Sequence, residues 1–171
     1  MTPSCRPATS RQRELLTLAL KLLLPACIVS AAMRLDTALE HIRQCAGLMD
    51  TRYQRTVFDE WAIVSFEKGR PRVVHYQGPR ADKFLASFDA DLAALRAGLT
   101  SQRYETGDFE FARQAAGTHF EAFMVAGPGV YLICNNTWAT MDQIAANPLW
   151  LAAQVPFVEL SERFRADPLT L

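Results

Sequence analysis

Residues 60–77 read EWAIVSFEKGRPRVVHYQ. In 60–67, Trp61, Ile63 and Ser65 point one way and Ala62, Val64 and Phe66 the other, and both sides are largely apolar. A period of two without a polar face predicts a strand in the middle of a sheet, covered on both sides. Lys68-Gly69-Arg70-Pro71 is a turn, because glycine accepts a positive φ and proline cannot donate a ladder bond. Residues 72–77 return as the second arm of a hairpin, which Gly78-Pro79 ends.

Helical spacing flanks this hairpin. In 34–50, Leu35, Ala38, Leu39, Ile42, Cys45, Ala46 and Met49 recur on one face, which predicts an amphipathic helix. Residues 81–99 repeat the pattern with Phe84, Leu85, Phe88, Leu92, Leu95 and Leu99, and Asp82 suits the positive end of that helix. Three strand-like runs follow at 108–114, 118–126 and 130–134, separated by Gly117 and by Gly127-Pro128-Gly129. The first alternates cleanly, Phe109 and Phe111 against Asp108 and Glu110, as an edge or interface strand does. The last segment, 138–165, is helical but broken by Pro148 and Pro156. A short helix is expected near 140–147, and a longer one from about Pro148, kinked at Pro156. The short turns make the sheet mainly antiparallel. The expected class is α/β of the α+β type: five antiparallel strands with helices on both faces, in the order α-β-β-α-β-β-β-α.

The chain has 171 residues, half of them hydrophobic and 21% charged, which fits one domain with a modest extension. The domain is expected over 33–171 and the extension over 1–32. Charge balances overall, yet residues 1–34 carry five basic residues against Glu14, leaving an acidic body. An acidic body without a basic stripe argues against nucleic acid as a partner. The cysteines (Cys5, Cys27, Cys45 and Cys134) form no C-x-x-C pair and read as reduced and mostly buried. Residues 15–32 (LLTLALKLLLPACIVSAA) follow Arg11 and Arg13 and end in small residues, as a secretory signal does, but Lys21 splits the apolar run. Three readings stay open: translation from Met33, a cleaved signal, and a membrane anchor. The first makes the protein cytoplasmic. The others export it or hold it on a membrane through 15–32.

The order of elements, with EWAIVSFEKGRPRVVHYQG as first hairpin and GVYLICNNT leading into the last helix, resembles the roadblock/dynein-light-chain family over about residues 34–165. The resemblance implies a profilin/longin-type architecture, with the first and last helices on one face of the sheet and the middle helix on the other. It also implies a homodimer through the middle helix and third strand, here Phe84, Phe88, Leu92, Phe109 and Phe111. Such dimers often serve as platforms for Ras-like small GTPases or as adaptors in larger assemblies. The chain departs from the family pattern in its longer, Pro148-containing stretch after the last strand and in its N-terminal extension. Trp138 and Trp150 flank the proline break and are candidates for a partner surface, since exposed aromatics often anchor interfaces. The alternative function is a profilin/PAS-like sensory domain with an apolar ligand pocket lined by Phe120, Met124, Tyr131 and Phe157.

Chemistry is not expected. His41 and Cys45 have metal spacing on a helix, but a structural zinc site needs four ligands, and a buried thiol beside an exposed imidazole is the plainer reading. His75 and His119 lie in strands and could act as acid–base groups, but no nucleophile elbow accompanies them. Asp59, Glu60, Glu105, Asp108 and Glu110 read as strand-edge charges that discourage aggregation. Asn136 is placed to help cap the final helical segment. No catalytic residue, metal or cofactor is assigned, and the chain is read as non-enzymatic.

Overall fold

Strand β1 (Glu60–Glu67) lies inside a five-stranded sheet, hydrogen-bonded to β2 (Arg70–Gln77) on one side and β5 (Val130–Asn135) on the other. A computed structural model describes residues 32–79, 104–111 and 122–171, all within one compact unit, Ala31–Leu171. The two apolar faces of β1 work as its sequence requires. Trp61 and Ile63 enter the main core, while Ala62 and Val64 join Ile133, Phe66 and Tyr131 on the opposite face. The β1–β2 loop is the two residues Lys68 and Gly69, both at positive φ (49° and 80°), the signature of a type I′ hairpin. Pro71 is tolerated because β2 is an edge strand. A bulge lets Val64 pair with Val73 directly after Ile63 pairs with His75, leaving Val74 as the extra residue.

With β3 (Phe109–Phe111) and β4 (Ala122–Gly127), the sheet order is β2-β1-β5-β4-β3, antiparallel throughout. The expected antiparallel α+β sheet is therefore present. The expected helix 81–99, with Phe84, Phe88 and Leu92, lies outside the described residues, as do 112–114 and 118–121 of the expected strands. Residues 1–31, with the signal-like run up to Ala31, lie outside them too. Among the described residues, no helix is long and apolar enough to cross a membrane.

One face of the sheet carries α1 (Leu35–Tyr53) and α3 (Trp150–Ala166), with the short α2 (Met141–Ala145) between β5 and α3. Helix α1 runs one turn beyond the expected 34–50. Tyr53 is buried and its hydroxyl donates to the Ile144 carbonyl (3.2 Å), which holds the last turn, and Gln54 closes it in the left-handed conformation (φ 62°). Thr140, not Asn136, caps α2. Its hydroxyl accepts from the Gln143 amide (3.3 Å) while the Gln143 side chain accepts from the Thr140 amide (2.9 Å), a capping box. Asn136 instead accepts from the Trp138 and Ala139 amides (2.8 and 2.7 Å), shaping the loop before the cap.

The break at Pro148 falls between α2 and α3, as expected, and Pro156 lies inside α3. Proline leaves the carbonyl four residues back without its helical donor. That carbonyl is Ala152, and Arg52 of α1 supplies the missing donor through Nη1 (3.3 Å). Beyond α3 the chain returns to the sheet. Leu169 is buried, its amide donates to the Ala126 carbonyl (2.8 Å), and the Met33 amide donates to the Pro168 carbonyl (3.0 Å). This strap lies so close to β4 that a Cβ on Gly127 would sit 2.1 Å from the Leu169 carbonyl oxygen. Gly127→Ala is accordingly expected to lower stability by about 2 kcal/mol or more, read by urea denaturation, and Leu169→Ala by about 3 kcal/mol.

Candidate functional site

The β3 end of the sheet is built around aromatic rings. Phe109 and Phe111 project from β3 onto α3. Phe111 lies 4.8 Å from Trp150 and 5.0 Å from Phe157, and Phe109 lies edge-on 5.3 Å from Phe157. Phe58 completes the cluster, parallel to Phe111 at 6.5 Å and tilted against Phe157 at 6.2 Å. Each such contact contributes about 0.5–1.5 kcal/mol beyond burial. The rings expected at a dimer interface thus serve the chain's own core first, because the face of β3 that carries them is the face α3 covers. Gly107 (φ 90°) brings the chain against α3, where its Cβ would sit 2.8 Å from the Ser161 carbonyl, and Arg165 pairs with Asp108 at 3.5 Å.

What β3 turns outward is backbone. The Val125 amide donates to the Asp108 carbonyl (2.8 Å). Antiparallel alternation then aims the Glu110 amide at β4 and the amides of Phe109 and Phe111 away from it. On the sheet's other face, Glu110 accepts from the Tyr104 hydroxyl. Burial and this carboxylate push the Tyr104 phenol up to about 12.

Of the two tryptophans expected on a partner surface, Trp150 is 7% exposed and packs on Phe111, so it cannot serve. Its position at the start of α3 turns it to the sheet. Trp138 is half-buried. Its ring lies 3.4 Å under the Arg55 guanidinium and its indole N–H donates to the Thr56 carbonyl (2.9 Å), so one face of it is already occupied.

At the opposite end of β1, Glu60 is 0% exposed. It was expected as a strand-edge charge, but β1 is internal and Glu60 sits opposite Asn135 of β5. Tyr76 donates its hydroxyl to Oε1 (2.6 Å) and Asn135 donates Nδ2 to Oε2 (3.3 Å). Gly78 closes over the group, since its Cβ would meet the Tyr76 hydroxyl at 2.6 Å. Asp59 does stay outward and accepts from the Thr137 amide (2.9 Å) and hydroxyl. The cluster joins β1, β2 and β5. A carboxylate so enclosed holds strands together and offers no surface to a substrate.

The remaining titratable groups are dispersed. Arg163 donates Nη1 to His41 Nδ1 (3.2 Å), which sets a cation where a metal would have to bind. Burial pushes the Cys45 thiol up to about 12 and raises Cys134 as well, so neither is a ready thiolate ligand or nucleophile. Among the described residues, no three His, Cys, Asp or Glu side chains gather as a metal site would need. His119 lies outside the described residues. Met124 and Phe157 lie on the helix-covered face, Tyr131 lies on the other, and Phe120 is not described, so these residues do not line one pocket. The core space beside Cys45, Met49 and Cys134 measures about 20 Å³, room for about one water.

His75 lies 5.2 Å from the Trp61 ring with its Nε2 buried and, among the described residues, without a hydrogen-bond partner. Burial first, and Arg43 second, hold its pKa below the ordinary 6.5. The unfolded chain therefore binds this proton more readily, and stability present above pH 6.5 falls as the pH drops through and below it. Urea midpoints from pH 8 to pH 5 are expected to show that fall, and His75→Phe to flatten it. A second expectation concerns the Glu60 corner: Tyr76→Phe should cost about 1–3 kcal/mol, the range for removing one partner of a buried hydrogen bond, in the same assay at pH 7. No family model, curated protein or solved structure matches the chain, so the functional reading rests on this geometry.

Proposed function

We propose that this chain is a non-enzymatic adaptor or regulator that acts by pairing with other proteins, first with a second copy of itself. The observation that supports the reading is the strand β3, which among the described residues ends the sheet with the Phe109 and Phe111 amides turned away from β4. Two copies joined there form one continuous sheet, the mode of association that the roadblock resemblance implies. The aromatic cluster beneath anchors the strand, since both rings pack on α3. A dimer of this kind offers a broad composite surface to a Ras-like small GTPase or another protein partner.

The test is amide hydrogen exchange at several protein concentrations. Protection of Phe109 and Phe111 should rise with concentration in step with the mass from light scattering, while that of Glu110, already bonded to β4, stays constant. Exchange at Phe109 and Phe111 that stays unchanged across a concentration range where the mass doubles would remove β3 as the meeting edge.

A further inference from the structure

The outer surface of α3 carries apolar side chains that stand exposed among the described residues. Leu151 is 78% exposed and Val155 and Val158 are each 42% exposed, at the i, i+4, i+7 spacing of a helix–helix seam. Leu48 of α1, 46% exposed, lines the adjacent groove with Pro156 and Glu159. The two helices run antiparallel: Arg52 meets Ala152, Leu48 meets Pro156 and His41 meets Arg163. Leu48 and Val155 therefore lie at one level, with Leu151 and Val158 to either side.

We infer that this α1–α3 face is a second self-association surface, on which two copies stack with their α3 helices antiparallel about a two-fold axis through Val155. Three observations favour a second copy as the occupant. First, charge is self-complementary. Arg52 reaches α3 at Ala152 and Glu159 lies the other side of Val155, each roughly 5 Å along the axis, so the two-fold brings Glu159 of each copy over Arg52 of the other. Second, Gly47 interrupts the outer side of α1, where glycine weakens a helix. Among the described residues a Cβ there would meet nothing within 4 Å, so their packing does not demand the glycine, and it allows a facing helix to approach closely. Third, the area suffices. Two helices side by side, about 25 Å long and about 20 Å wide, present on the order of 500 Å² per copy, or about 1,000 Å² in all, the lower bound for a specific interface. The surface is separate from the β3 edge, and the inference does not rest on that strand's pairing.

The experiment is sedimentation of the full chain at up to roughly 100 µM, with exposed-site variants checked for unchanged melting temperature. Val155→Glu is expected to weaken association at least about tenfold, since it sets two carboxylates together at the axis. Glu159→Arg should weaken it as well, by opposing Arg52. With Cys5 and Cys27 changed to Ser, Val155→Cys should form a disulfide with its own counterpart on oxidation. Leu151→Cys should cross-link to Glu159→Cys in a mixture and not to itself. A chain that stays monomeric overturns the inference. So does an association that Val155→Glu leaves intact, and in that case concentration-dependent protection of the Phe109 and Phe111 amides would locate the contact at the β3 edge instead.

Discussion

A strand apolar on both faces has one stable place, inside a sheet with material above and below it, and β1 imposes that condition on everything around it. Its neighbours β2 and β5 satisfy its backbone, and its odd- and even-numbered residues divide between two cores. The larger core takes Trp61 and Ile63 together with the inward faces of α1 and α3. The smaller gathers Ala62, Val64 and Ile133. Because β5 is bonded to β1 and to β4, the chain's last strand becomes the sheet's centre, and β3 is displaced to the far edge.

Two devices allow α3 to lie where that sheet needs it. Pro156 is buried against the core, and the helical bond it forfeits at Ala152 is replaced by the Arg52 guanidinium from α1. The same arginine thus joins the helices, and its remaining charge lies near the surface where a second copy is inferred to bind. At the other side of α3, Phe157 receives Phe109, Phe111 and Phe58, which ties the edge strand to the helix layer. The edge is therefore anchored on its side-chain face, and among the described residues β4 is its one strand neighbour. A stiff strand is the better template for pairing, since less conformational entropy is lost when a partner docks.

The polar residues at the ends of β1 and β5 act as closure. Glu60, Tyr76 and Asn135 join three strands inside the molecule, while Asp59 and Asn136 order the loop that leads to α2. At the other end of the sheet, the Pro168–Thr170 strap bonds to Met33 and to Ala126 of β4. The chain's described ends are thereby fixed to one another, and Gly127 is the residue whose lack of a side chain makes room for it.

By itself the sequence determined the local elements, because each depends on near neighbours. The two-sided pattern of EWAIVSFE set β1, Lys68-Gly69 set the hairpin, and Pro148 set the break before α3. The antiparallel character of the sheet followed from short turns. Tertiary structure decided what depends on distant partners. Glu60 and Asp59 are adjacent acids, and nothing local says that the first is enclosed by Tyr76 and Asn135 while the second faces out. Phe109 and Phe111 alternate as an interface strand would, yet only the position of α3 turns their rings inward and leaves the backbone as the outward feature. Trp150 and Trp138 both flank a proline break, and only the helix direction buries one under Phe111 and leaves the other beneath Arg55. The orphaned carbonyl behind Pro156 is legible in the sequence, but its donor, a hundred residues earlier, is not, since side-chain bonds across a fold carry no periodicity along the chain.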